Sequence, residues 1–154
     1  MPRSNVAEAA VPGLQVRFGR RYNFTAAHRL HSDVLGAERS RVIYGKCNNP
    51  AGHGHNYAVT VVVEGVPHPV TGMVINMADL DRVARTILDE FGYHHLDLEV
   101  PEFKNRPSTA EHIAATLYAK FTRQLTGHSV VVRRLEISET RNNSCCLMLA
   151  GQVE

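Results

Sequence analysis

His55-Asn56-Tyr57-Ala58-Val59-Thr60-Val61-Val62-Val63-Glu64 is the stretch on which the fold turns. Ten residues dominated by β-branched valine, entered from Gly54, read as a strand. The segment from Gly65 to Gly72, with Pro67, Pro69 and Thr71-Gly72, closes it as a turn region. Upstream, Leu14, Val16 and Phe18, then Tyr22, Phe24 and Ala26, alternate with polar neighbours and predict an earlier strand. His28 ends that run on the same parity, so it shares the inward face. Between the two strands, residues 29–54 are polar and rich in Ser, Arg, Asn and Gly, which predicts a long loop of functional interest.

Downstream the period changes. Met77, Leu80, Val83, Ala84, Ile87, Leu88 and Phe91 fall on one helical face, with Asn76 placed to cap the start and Gly92 to end it. Residues 97–107 read as loop. Ser108-Thr109-Ala110-Glu111 has the spacing of a capping box and opens a second helix through Ile113, Leu117, Phe121 and Leu125 to Gly127. Two strands follow, Val130–Glu139 and Ser144–Ala150, joined by a turn at Asn142-Asn143. The expected order is therefore ββααββ, an α+β fold made of two hairpins flanking a helical pair. Residues 1–12 are small, polar and aperiodic and read as a flexible arm. Residues 13–154 read as one domain.

Composition narrows the function. The chain has 154 residues, a formal net charge of +2 with nine histidines counted neutral, and 44% hydrophobic residues. That balance argues against nucleic acid as a partner. No apolar run approaches the ~20 residues of a membrane span, and no secretory leader pattern opens the chain. The three cysteines, Cys47, Cys145 and Cys146, show no disulfide framework, so a reducing cytoplasm is the expected setting.

The chemistry concentrates around the valine-rich strand. In His53-Gly54-His55, side chains two apart on an extended chain project from one face, which suits two imidazoles on one metal. His28, at the inward end of the preceding strand, is the natural third ligand. Three neutral histidines with one open position are the pattern of a catalytic zinc. Cys47 lies just upstream in Gly45-Lys46-Cys47-Asn48-Asn49-Pro50. Beside a cation its thiol would act as base or nucleophile. A fourth metal ligand and a buried, inert thiol are the alternatives. Glu139, near the end of the third strand, could accept two hydrogen bonds from the amidine-like edge of a guanine or pterin ring. Tyr93-His94-His95 reads as a surface loop, with a proton relay as the functional alternative. His31, His68, His112 and His128 show no partner pattern.

Together these segments resemble the 6-pyruvoyl-tetrahydropterin synthase family and its close relative, 6-carboxy-tetrahydropterin synthase. The resemblance runs from about Val16 to Gly151. It is carried by Phe24-Thr-Ala-Ala-His28-Arg-Leu30, by Gly45-Lys-Cys47 through His53-Gly-His55-Asn-Tyr57, by Thr71-Gly-Met-Val-Ile-Asn-Met-Ala-Asp-Leu80, by Ser108-Thr-Ala-Glu111 and by Ser138-Glu139-Thr-Arg-Asn-Asn143. It implies the tunnelling fold: two helices on one face of a four-stranded antiparallel sheet, three subunits closing a barrel, and two trimers stacked as a homohexamer with active sites between subunits. It implies Zn2+ on His28, His53 and His55, Cys47 as general base, Glu139 as anchor of the pterin ring, and Thr109 and Glu111 at the pterin pocket. The implied substrate is a pterin triphosphate. The five residues between Cys47 and His53 resemble the biopterin-pathway type, while the carboxy type, a side-chain-cleaving pterin enzyme and a non-catalytic zinc- and pterin-binding oligomer are the alternatives. One stretch departs from the pattern. Where the family shows Leu-Asp-His before a Leu-Asp, this chain has Phe91-Gly92-Tyr93-His94-His95-Leu96-Asp97. Matching His94 to the family histidine leaves Tyr93 where the aspartate would be, the placement preferred because it keeps a histidine; the other placement puts Gly92 and Tyr93 on the pair with no histidine, and in both the aspartate is missing.

Overall fold

The computed structural model describes residues 13–149. The expected arm at 1–12 lies outside them.

Four antiparallel strands form one sheet in the order β1-β2-β3-β4: β1 Val16–His28, β2 His53–Gly65, β3 Val130–Ser138 and β4 Ser144–Met148. β1 and β2 pair along their full thirteen residues, from Val16 opposite Gly65 to His28 opposite His53. The β-branched and aromatic content of both strands suits so long a pairing. Phe24, Ala26 and His28 on β1 and Tyr57, Val59, Val61 and Val63 on β2 are buried on one face. Leu135 and Ile137 continue that face on β3. The register of β2 against β3 shifts between Val62 and Val63. This bulge lies where Arg133 turns toward Glu64, whose carboxylate also takes Arg17.

The apolar face is covered by α2 (Met77–Leu88) and α4 (Ala110–Gln124). Asn76 caps α2 by accepting from the Ala78 N–H at 2.9 Å. Leu80, Ala84 and Ile87 of α2 and Ile113, Leu117 and Phe121 of α4 are buried against the sheet. Phe24 stacks on Tyr57 with ring centroids 4.9 Å apart, and Phe91 meets Phe24 edge-on. The four strands, their antiparallel order and the two covering helices are as expected.

Several local expectations are corrected. The region read as loop after β1 contains α1 (Gly36–Tyr44) and a 3-10 turn at Gly45–Asn48. Helical periodicity fails to reveal α1 because Val42 and Ile43 point outward and Ser40 is its one buried residue. The stretch 97–107 is also structured, with a short α3 (Leu96–Glu99) and a 3-10 turn at Pro101–Phe103. α2 stops at Leu88, three residues before Phe91. Gly92 instead closes the following turn through its N–H to the Leu88 carbonyl. The helix cap of α4 is Thr109, whose hydroxyl accepts from the His112 N–H, not Ser108. Ser108 is buried and engaged elsewhere. β3 ends at Ser138, so Glu139 opens the turn to β4, donating its N–H to the Asn143 carbonyl.

Among the described residues, no helix is long and apolar enough to cross a membrane.

Candidate functional site

The site is built at one end of the β1–β2 pair. Direct cross-strand pairing puts His28 opposite His53, and the two-residue period puts His55 on the same face. One potential ligand atom from each of the three lies within 4.8 Å of the others. The rings approach edge to face, with centroids 4.5 Å apart for His28–His53, 4.9 Å for His53–His55 and 5.1 Å for His28–His55. Tyr57 floors the cluster, 5.6 Å from the His55 ring.

Glu139 completes the group. Its Oε1 lies 3.2 Å from His28 Nε2 and 3.3 Å from His55 Nε2. His28 Nε2 is also 3.0 Å from His53 Nε2. At its other edge, His28 Nδ1 is 3.0 Å from the Ser108 carbonyl oxygen. A carbonyl only accepts, so Nδ1 carries the proton, and in neutral His28 Nε2 is a lone pair. Nε2 of His28, Nε2 of His53 and a carboxylate oxygen thus converge where lone pairs repel unless a proton or cation joins them. Among the described residues, His53 Nδ1 is buried without a hydrogen-bond partner, and His55 Nε2, although 3.3 Å from Glu139 Oε1, makes no well-oriented hydrogen bond, a state that polar atoms rarely keep. Three converging imidazoles are the donor chemistry of a divalent cation such as zinc, and the residues fit one.

The electrostatics agree with the geometry. Burial pushes His53 down, helped by its two neighbouring imidazoles, and burial does the same to His55 against the opposing pull of Glu139. Both are therefore neutral at neutral pH, the form that ligates metal. For His28, burial alone would lower the pKa, but Glu139 and the Ser108 carbonyl outweigh it and the net shift is upward. His28, when its Nε2 also carries a proton, holds the Glu139 carboxyl below the usual range, with His55 and His53 adding to it against the opposing effect of burial. Burial raises the Tyr57 phenol further from ionisation, with Glu139, Asp97 and Cys47 adding to it.

Cys47 sits in the 3-10 turn and is half-buried. Its carbonyl accepts from the Leu30 N–H at 2.8 Å, and Asn48 Nδ2 donates to the Leu30 carbonyl at 2.6 Å. Those two bonds staple the turn to the chain just beyond His28. Gly52 then makes the tight return into His53. Its φ is +71°, and a Cβ there would lie 2.7 Å from His95 Nε2 and 3.0 Å from the His28 carbonyl. Only glycine meets both the backbone and the space requirement.

The 92–97 stretch lies along the same end of β1. Tyr93 N–H donates to the Thr25 carbonyl and Ala27 N–H to the His94 carbonyl. Tyr93 is the one described non-glycine residue at positive φ, +63°, and its side chain is almost fully exposed. His94 Nδ1 lies 3.3 Å from Glu99 Oε1, so a carboxylate does reach this histidine, from five residues downstream. His95 packs inward against Gly52. Of the other sequence candidates, Thr109 is the α4 cap and Glu111 lies in the first turn of α4. Glu111 also raises the Cys145 thiol, after burial, across the α4–β4 contact. Cys145 packs against the core and Cys146 is exposed. Sequence reasoning misses Asp97 and Ser108, which lie directly behind His28. No sequence signal singles them out, because Glu99, Glu102, Lys104, Asn105 and Arg106 make the stretch between them equally polar.

The chain matches the model of the 6-pyruvoyl tetrahydropterin synthase family over residues 18–149. The chain belongs to that family. It is 40% identical over 130 residues to the 6-pyruvoyl tetrahydrobiopterin synthase of Homo sapiens, covering 84% of this chain and 88% of the human one. With the enzyme of that name from Drosophila melanogaster it shares 38% identity over 125 residues, 80% of this chain and 74% of the fly protein. The solved structure of Caenorhabditis elegans 6-pyruvoyl tetrahydropterin synthase superposes with a TM-score of 0.84 at 36% identity, over 88% of this chain and 96% of that one. The Plasmodium vivax structure, at 17% identity and a TM-score of 0.62, shares the fold.

Proposed function

We propose that the chain is a zinc-dependent lyase that converts 7,8-dihydroneopterin triphosphate to 6-pyruvoyl-tetrahydropterin. Triphosphate leaves, and the side chain is oxidised as the pterin ring is reduced, so no external redox cofactor is consumed. The observation that carries this reading is the convergence of His28, His53 and His55 in a chain of this family.

The three histidines hold the zinc, which when bound supplies a Lewis acid for the oxygens of the substrate side chain. Cys47 removes the proton from the adjacent carbon as general base. His94 relays that proton, oriented by Glu99, whose second oxygen also accepts from the His95 N–H. This pairing supports the relay role despite the absence of the motif's own aspartate. Glu139 anchors the pterin through two hydrogen bonds to its amidine-like edge. Thr109 and Glu111 line the same pocket from the start of α4. The working form is a homohexamer, a dimer of barrel-closing trimers, and the setting is cytoplasmic.

The test is a product assay on 7,8-dihydroneopterin triphosphate with zinc-loaded protein. Equimolar inorganic triphosphate and pyruvoyl-pterin are expected. Cys47→Ala should lower kcat by about 10²–10⁴-fold while zinc stoichiometry stays unchanged. A carboxyl-pterin product would reassign the chain to the carboxy type. Zinc and pterin bound without turnover would make it a binding protein.

A further inference from the structure

Asp97 is not part of the reacting constellation, yet its contacts reach both sides of the first metal ligand. Oδ2 accepts from the backbone N–H of Arg29, the residue after His28, at 2.7 Å. Oδ1 accepts from the backbone N–H of Ser108 at 3.2 Å. The Ser108 hydroxyl lies 2.8 and 2.9 Å from the two carboxylate oxygens. One carboxylate therefore stitches the end of β1 to the start of α4. It does so where Ser108 is fully buried, and His28 with it.

The consequence falls on His28. The Ser108 carbonyl is held 3.0 Å from His28 Nδ1, and the Ser108 hydroxyl oxygen 3.3 Å from the same atom. Because that hydroxyl proton is committed to Asp97, the hydroxyl oxygen faces Nδ1 as an acceptor too. Two acceptors at Nδ1 select the Nδ1–H tautomer and aim the Nε2 lone pair at the cluster. Among the described residues nothing comparable holds His53, whose Nδ1 is buried without a partner.

We infer that Asp97, acting through Ser108, is a positioning residue that locks the tautomer and ring of His28 and so makes it the preorganised first ligand of the metal. This rests on the reading of His28, His53 and His55 as the zinc site. The physical basis is general: partners behind a metal-bound imidazole fix its orientation and raise its basicity. Ser108 contributes mainly by its carbonyl. Asp97 contributes by holding that carbonyl in place, so loss of the carboxylate should matter more than loss of the hydroxyl.

The experiment has two arms. In the first, zinc affinity is measured by chelator competition on wild type, Asp97→Asn, Ser108→Ala and, as a control for general destabilisation, Asp81→Asn. Asp81 is held in a separate ion cluster with Arg20 and Tyr22. Asp97→Asn should weaken zinc by about 10- to 100-fold, Ser108→Ala by less, and Asp81→Asn not at all. In the second arm, imidazole nitrogen NMR on metal-free wild type reads the tautomer of His28, with Nδ1–H expected. Wild-type zinc affinity retained in folded Asp97→Asn would overturn the inference. So would an Nε2–H tautomer in the wild type, a result that stands even if the variants fail to fold. Wild type that binds no zinc would instead overturn the metal-site reading itself.

Discussion

Gly52 offers a test in which backbone strain and site geometry can be separated. Gly52 and Gly72 share φ = +71°, but a Cβ on Gly72 meets nothing within 4 Å, whereas one on Gly52 meets His95 Nε2 at 2.7 Å and the His28 carbonyl at 3.0 Å. Gly72→Ala should therefore cost only the left-handed conformation, about 1–2 kcal/mol. Gly52→Ala carries that cost and must also displace the His95 ring and press on the backbone of His28. An additional ~1–2 kcal/mol is expected, in the range for overpacking a filled site. At ~2–4 °C per kcal/mol for a chain of this size, Gly72→Ala should lower Tm by roughly 2–8 °C and Gly52→Ala by roughly 4–16 °C. The second readout is zinc affinity. Gly52→Ala should weaken it because the His28–His53 pair is pushed apart, and Gly72→Ala should leave it alone. Thermal scans at one protein concentration, with and without zinc, measure both effects. Equal Tm losses and equal zinc affinities in the two variants would refute the close approach at Gly52.

Two further outcomes follow from charges away from the site. Asp81 is held below the usual carboxylate range, first by its hydrogen bond to Arg20 and then by the Tyr22 hydroxyl, and Glu64 likewise by Arg17 and Arg133. A depressed folded-state pKa contributes stability that is present above the unfolded value, ~4, and is lost as pH falls through the folded value. Tm should therefore decline as pH is lowered below about 4, and Asp81→Asn should flatten that decline. A wild-type Tm that is constant from pH 7 to 3 would contradict both ion clusters. Lys120 is largely buried over the Phe91 ring and pairs with Glu90 at 2.6 Å and with Glu102. Lys120→Met leaves two carboxylates facing without their cation, so it should cost about 1–2 kcal/mol at pH 7. Burial is outweighed by Lys120, which holds the Glu102 carboxyl below the usual range, so the loss should shrink as pH is lowered; urea unfolding at pH 7 and pH 4 reads the difference.

The elements most legible in the sequence were those whose side chains follow a period. Val59, Val61 and Val63 mark β2, and Leu80, Ala84 and Ile87 mark α2, because each buries one face against the other. His53-Gly54-His55 could be read as a metal pair for the same reason: strand period alone places two side chains two apart on one face. His28 was legible by its parity at the end of β1. α1 was not, because its apolar Val42 and Ile43 face outward. Nor was the cap of α4: Ser108 and Thr109 are chemically alike, and only the packing of Ser108 against His28 and Asp97 leaves Thr109 free for the His112 N–H.

Local pattern, then, determined by itself which segments become the four strands and the two covering helices, and that His53 and His55 share one face of β2. These depend on steric periods that each segment carries within it. Tertiary structure alone decided what stands behind and beside those histidines. Asp97 lies 69 residues from His28 in the chain and Glu139 lies 111, and no local preference relates residues so far apart. Their convergence is produced by the thirteen-residue pairing of β1 with β2 and by the packing of the α4 entry onto that end of the sheet, which bury the imidazoles beside one another, the Ser108 carbonyl and the Glu139 carboxylate.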